Sequence, residues 1–228
     1  MRFCLNIFIF FSFCSAFSQE APNFAALDSL YREDQFYMGM TYNVLQKTPQ
    51  GFSEGKFTPS FSIGFQRDMP INKSRTVAIA AGLGYAINNF NHNVLITETG
   101  GVPEYNFTEA GINYDKNKLT LHYVEMPIEF RWRTSVPESH IFWRIYTGFK
   151  MGYLVYDRSK YNAGDDKIKV TNNRDLNKFQ YGAYLAAGRN TWNVYLYYGL
   201  NPIFKSAQLE GKTLDVNTFN MGLIFYIL

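Results

Sequence analysis

Val77-Ala-Ile-Ala-Ala-Gly-Leu-Gly-Tyr-Ala-Ile87 puts Val77, Ile79, Ala81, Leu83, Tyr85 and Ile87 on one parity and Ala78, Ala80, Gly82, Gly84 and Ala86 on the other. Side chains that change character at every second residue have the period of a β-strand, whose successive residues point to opposite faces. One face here is bulky and apolar; the other is nearly bare. The uncharged run around it, residues 76–97, resembles a membrane helix in length. Its apolar part nevertheless ends at Ile87, and Asn88-Asn89-Phe90-Asn91-His92-Asn93 follows. A spanning helix needs about 20 apolar residues in succession, so the segment reads as a strand.

Working outward, the alternation recurs over residues 36–44, 57–66, 119–133, 141–155, 179–188, 192–200 and 219–227, which predicts eight strands in all. Residues 119–133 change parity midway: Leu119, Leu121 and Tyr123 are odd, whereas Ile128, Phe130 and Trp132 are even. A β-bulge over Tyr123, Glu125 and Pro127 would absorb one extra residue, and Pro127, which has no N–H for a ladder, suits the break. Such a bulge would turn Glu125, Glu129, Arg131 and Arg133 to the polar face.

The direction of the greasy face decides the class. A soluble lipocalin-like barrel or sandwich hides its large apolar residues, whereas a membrane barrel shows them to lipid and keeps polar residues in its lumen. With 21 Phe and 17 Tyr and a mean hydropathy of −0.22, aromatic residues are over-represented without the chain being apolar overall. An eight-stranded barrel is just wide enough inside to be filled by side chains. The Gly, Ala, Ser, Thr and Asn faces fit there; the Phe, Trp and Leu faces do not. The connections, residues 46–56, 68–74, 88–117, 134–140, 158–177, 189–190 and 201–213, alternate long and short. Short periplasmic turns and longer outer loops are the habit of outer-membrane barrels. The expectation is therefore an all-β, eight-stranded antiparallel up-and-down transmembrane β-barrel with both termini periplasmic and the long loops solvated.

Residues 1–18 carry Arg2, an apolar stretch from Leu5 to Phe17 and small residues at Ala16 and Ser18. That is the layout of a cleaved secretory signal peptide. Lipid attachment at Cys14 is the alternative, but Phe13 stands where processing wants a small residue. Residues 19–35 form a short polar periplasmic lead and residues 36–228 the barrel. Both cysteines, Cys4 and Cys14, lie within the signal, so the mature chain has no thiol for a disulfide or a nucleophile. A net charge of +3 argues against a nucleic-acid partner.

The segment Tyr123-Val-Glu-Met-Pro-Ile-Glu-Phe130, with Val194-Tyr-Leu-Tyr-Tyr-Gly-Leu-Asn201, resembles the PorT-like outer-membrane β-barrel family of Bacteroidota, whose fourth strand often reads Tyr-Leu-Glu-Ile-Pro. The resemblance implies a barrel over residues 35–228 and, for some members, a role accessory to type IX protein secretion. Asn220-Met-Gly222-Leu-Ile-Phe225-Tyr-Ile227 is similar to the C-terminal assembly signal read by the barrel-assembly machinery, although the chain ends on Leu228 instead of an aromatic.

Chemistry is sparse. His92, His122 and His140 are dispersed, with no metal-ligand spacing between them. A lipid-modifying site could be assembled only from an inward His122 with Glu125 and Ser60 or Ser62, and the bland alternative is a satisfied lumen histidine. Asp157, Asp165 and Asp166 lack the spacing of a calcium loop, and the triplets at Asn72 and Asn106 carry little weight in a bacterial protein. No catalytic residue, metal or cofactor is expected. Glu125, Glu129, Arg131, Arg133, Arg144 and Lys150 fall on two sequential strands and should pair into one plugging network, because a lone buried charge costs several kcal/mol. The reading is a monomeric, closed, non-enzymatic barrel in contact with outer-membrane lipid and a protein partner; a passive channel for small solutes is the alternative.

Overall fold

Strict alternation produces long strands, and here eight of them close into a ring. The computed structural model describes residues 34–55, 57–108, 114–134 and 142–227. The signal peptide, nearly all of the polar lead, and His140 lie outside them. The strands are β1 (Gln35–Gln46), β2 (Pro59–Pro70), β3 (Val77–Asn91), β4 (Val94–Thr99), β5 (Val102–Phe107), β6 (Lys116–Arg133), β7 (Trp143–Ala163), β8 (Asp166–Thr171), β9 (Phe179–Arg189), β10 (Trp192–Gly199), β11 (Gln208–Leu209), β12 (Lys212–Thr213) and β13 (Asn217–Ile227). Eight of them pair in the cyclic order β6-β3-β2-β1-β13-β10-β9-β7, and β7 returns to β6 to close the ring. Every pairing is antiparallel between chain neighbours, and β13 meets β1 from Phe36↔Ile227 to Gln46↔Asn217. This is an up-and-down barrel without a free edge.

The greasy faces point outward. On β6, Val124, Met126, Ile128, Phe130 and Trp132 are each between 41% and 49% exposed, while Glu125, Glu129, Arg131 and Arg133 are buried. At about 3.4 Å per residue and a tilt of about 40°, those five span about 20 Å, close to the height of a membrane barrel's apolar band. All three tryptophans, Trp132, Trp143 and Trp192, sit exposed at the short-turn end. A second ring at the long-loop end includes Tyr42 stacked on Phe57 and Tyr85 beside His122. Aromatic girdles at both rims and apolar residues between them mark the lipid-facing belt.

The bulge is real but lies one strand further on. The β3–β6 register keeps one offset from Val77↔Trp132 to Asn91↔Lys118, the pairing lapsing only opposite Met126 and Pro127, so β6 contains no extra residue. Against β7 the register slips between His122↔Tyr156 and Tyr123↔Leu154, which leaves Val155 of β7 as the unpaired residue. Pro127 lies within β6, at the lapse in its pairing with β3, and faces inward. What changes along β6 is the surroundings: Leu119, Leu121 and Tyr123 keep the inward parity and enter an apolar cluster above the membrane belt. Outside that belt is water, so the apolar residues there move to the inside, as they would in a soluble barrel.

The long connections are also more structured than solvated tips. Strand β7 runs on to Ala163 and folds back onto β8, β4 pairs with β5, and β11 with β12. Together they carry the apolar cluster that caps the barrel.

Candidate functional site: a filled lumen beneath a capped loop end

At the short-turn end, Asp68 anchors the lumen. Its Oδ1 accepts from Arg131 Nη1 at 3.1 Å and from Arg133 Nη1 at 2.9 Å, and Oδ2 accepts from Arg133 Nη2 at 2.7 Å. Arg131 also donates Nε to Glu129 at 2.8 Å and Nη2 to Gln66 at 2.6 Å. Mid-barrel, Lys150 Nζ lies 2.9 Å from Glu125 Oε1 and 4.6 Å from the centre of the Tyr197 ring. Arg144 adjoins the Asp68 cluster as the cross-strand partner of Arg133 but makes no ion pair among the described residues. Its guanidinium stacks on Phe142 at 4.5 Å and on Tyr226 at 5.5 Å, and its Nε and Nη1 have no hydrogen-bond partner among the described residues. The single network expected from sequence is thus an Asp68-centred cluster, a separate Lys150–Glu125 pair, and a π-stacked arginine.

Gln66 falls on the polar face read from sequence, but Asp68 was not legible as a lumen residue, because Asp-Met-Pro reads as the start of a turn. Its even parity with Ser60, Ser62, Gly64 and Gln66 was the available signal. Tyrosines fill the remaining space: Tyr37, Tyr146, Tyr184, Tyr195, Tyr197 and Tyr226 all point inward and are buried. Large rings fit because bare positions lie beside them. A Cβ on Gly64 would sit 2.6 Å from Tyr37 ring carbons, one on Gly148 2.7 Å from Tyr184, and one on Gly182 2.6 Å from Tyr197. Two small spaces remain among the described lumen residues, about 20 Å³ beside Lys150 and about 10 Å³ between Tyr37 and Tyr195. Each is room for about one water.

Above the belt, Leu45, Phe90, Ile96, Leu121, Phe204 and Val216 belong to one buried cluster drawn from all four long-loop regions. Residues 201–216 fold over it: Ile203 N donates to Val216 O at 2.8 Å and Asn177 N to Ile203 O at 2.8 Å. His92 is buried in the cap, where its Nδ1 accepts from Val94 N at 3.3 Å. Burial lowers its pKa from 6.5 to about 4, so the ring stays neutral. Tyr105 donates to Asn173 Oδ1 at 3.0 Å, and burial raises its pKa. On the cap surface an open groove of about 580 Å³ runs between β5, residues 174–175 and the β11–β12 hairpin, lined by Glu104, Asn106, Arg174, Asp175, Gln208 and Glu210.

The candidate catalytic trio is not brought together. Ser60 is inside, bonded to Asn43 and Asn88 at 2.8 and 2.7 Å. Glu125 is inside with Lys150, and Ser62 lines the lumen near Tyr37. His122 faces outward, not into the lumen, with Nδ1 2.7 Å from the Tyr85 hydroxyl. The reason is the constant β3–β6 register, which keeps His122 on the same outward face as Val124, Met126, Ile128, Phe130 and Trp132. Among the described residues no cluster of three metal-ligating side chains occurs. Asp157 turns inward and accepts from Asn173 N, away from the exposed Asp165 and Asp166, and Asn72 closes its turn by bonding Ser74 and Thr76. In the C-terminal strand Asn220 and Gly222 face the lumen, while Phe225 packs on Trp192 at 4.8 Å and Ile227 is exposed.

The sequence pattern of the outer membrane protein beta-barrel domain matches residues 17–205, most of the chain. No curated protein and no solved structure matches the chain significantly.

Proposed function

Because the chain belongs to the outer membrane protein beta-barrel domain family, its setting is a bacterial outer membrane, and we propose that it works there as a closed, non-enzymatic monomeric barrel that docks a protein partner through its capped long-loop end. The filling of the lumen carries this reading: buried ion pairs and six tyrosines leave free spaces of about 20 and 10 Å³, too small for solute passage. Function then falls to the surface, and the cap carries an open groove of about 580 Å³ between β5 and the β11–β12 hairpin. In this reading both termini and the short turns lie in the periplasm after a signal peptide over residues 1–18 is cleaved. The barrel-assembly machinery reads Asn220, Gly222, Phe225 and Ile227. The PorT-like strand around Tyr123–Phe130 favours a partner from a type IX secretion apparatus.

A photo-crosslinking residue at Glu104 or Glu210, introduced in the native host, should capture one discrete outer-membrane or secreted protein, whereas one at Lys73 in a short turn should not. The purified barrel should be silent in a planar bilayer. Recovery of the barrel alone from both groove positions would overturn the docking role, and stepwise conductance would replace it with the channel reading.

A further inference from the structure

Directly beyond the upper aromatic ring, the outer wall of the barrel becomes cationic. Lys118 of β6 is the cross-strand partner of Lys160 of β7, which is in turn the partner of Lys169 of β8. Arg158 stands one row below, between Thr120 and Thr171, and Lys116 and Lys167 flank Asn162 one row above. Six cations therefore share one three-stranded face, all of them at least partly exposed. Like charges directly opposed across strands are destabilising, and among the described residues no ion pair involves any of the six. Asp157, the carboxylate nearest in sequence to Arg158, turns to the inside. Arg158 Nε is shielded from solvent yet has no acceptor among the described residues. A face built this way needs anions from elsewhere.

Its height says where they come from. His122 packs on Tyr156 at 5.2 Å and bonds Tyr85, marking the rim of the apolar belt. Arg158 follows Tyr156 by two residues along β7, about 7 Å, and Lys118 precedes His122 by four along β6, about 13 Å before tilt. That is the depth of lipid headgroups, immediately beyond the acyl chains. We propose that Lys118, Lys160, Lys169 and Arg158 form a binding site for the phosphate groups of anionic lipid in the leaflet around the long-loop end. The site rests on the barrel's place in a membrane and not on the identity of any docked protein. Each bound phosphate offsets the repulsion within the lysine row, so lipid holds the β7–β8 hairpin against the membrane.

The test uses the full-length folded barrel in phosphatidylcholine nanodiscs containing a minor fraction of either lipid A or its phosphate-free form. Native mass spectrometry counts the lipids that stay bound. Lipid A should be retained and the phosphate-free form should not. A Lys118→Gln, Lys160→Gln, Lys169→Gln variant should lose roughly 100-fold in retention, at about fivefold per cation near the surface. In pure phosphatidylcholine it should melt at the same temperature or higher, because repulsion has been removed. Lys205→Gln with Lys212→Gln, on the cap, should leave retention unchanged. Equal retention by the triple variant, equal binding of the phosphate-free lipid, or full displacement of lipid A by millimolar inorganic phosphate would each overturn the proposal. None of these results bears on partner capture at Glu104 or Glu210.

Discussion

Tyr226 donates its hydroxyl to Glu129 Oε1 at 3.1 Å, although the two strands that carry them, β13 and β6, stand four places apart in a ring of eight. They are opposite walls of the barrel, so one hydrogen bond spans its diameter. A phenylalanine at Tyr226 would keep the ring and its packing on Tyr146 and remove the donor. Hydrogen bonds to buried charged groups contribute about 1.5–3 kcal/mol. Y226F should lower the unfolding midpoint in urea correspondingly, whereas Tyr198→Phe on the lipid face should shift it by less than about 0.5 kcal/mol.

Asp68 is the shared acceptor for two buried guanidinium groups. Removing one partner of such a set leaves charge uncompensated in a low-dielectric interior, at a cost of roughly 3–5 kcal/mol. Asp68→Asn should therefore be among the most damaging single substitutions in the barrel, read as loss of the compact, unboiled band on a gel. Glu98→Gln, in the exposed β4–β5 hairpin, should leave that band intact.

Gly64 tests whether the lumen is filled to its limit. A methyl group there meets Tyr37 ring carbons at 2.6 Å and the Leu83 carbonyl oxygen at 2.5 Å. Overpacking of this kind costs about 1–3 kcal/mol. G64A should unfold earlier than the parent, and Tyr37→Leu in the same chain should recover part of the loss by clearing the ring while the backbone contact remains. Full additivity of the two losses would show that Tyr37 and Gly64 do not share this space.

The cap should loosen in mild acid. His92 has a folded-state pKa of about 4 against 6.5 when free, so below pH 6.5 the open state takes up the proton and the closed state does not. Stability is complete above about pH 6.5 and is lost as the pH falls toward 4, by about 2 kcal/mol at pH 5. Amide exchange in β4 and in residues 203–216 should accelerate between pH 7 and 5 after correction for intrinsic rates. Exchange in the mid-barrel of β9 and β10 should not. His92→Phe should remove the pH dependence from the cap.

Much of the architecture could be read from parity alone, because each strand separates two solvents. The closed ring of eight, the outward Phe and Trp faces and the inward Glu125, Glu129, Arg131 and Arg133 all follow from it. The reading slipped where the solvents change. Leu119 and Leu121 looked displaced by a bulge, since nothing local says that β6 has left the bilayer by that point. The extra residue was hidden at Val155, inside an apolar run where either parity is greasy. The lumen was harder still. Asp68 joins Arg131 and Arg133 only through the β2–β3–β6 register, and the apolar cap gathers residues more than a hundred positions apart, such as Leu45 and Val216. Such contacts are properties of the closed ring and not of any one segment.

The cap has a consequence for biogenesis. Its apolar members come from loops at the end opposite to Gln35 and Ile227, so in the proposed orientation with periplasmic termini they meet only after every hairpin tip has crossed the bilayer and the first strand has met the last. Each tip thus travels as an unsatisfied piece and gains its burial energy on arrival, and the assembled lid would have to be dismantled before any hairpin could retreat. The lid behaves as a latch set from the far side, which makes membrane integration effectively one-way without any covalent step.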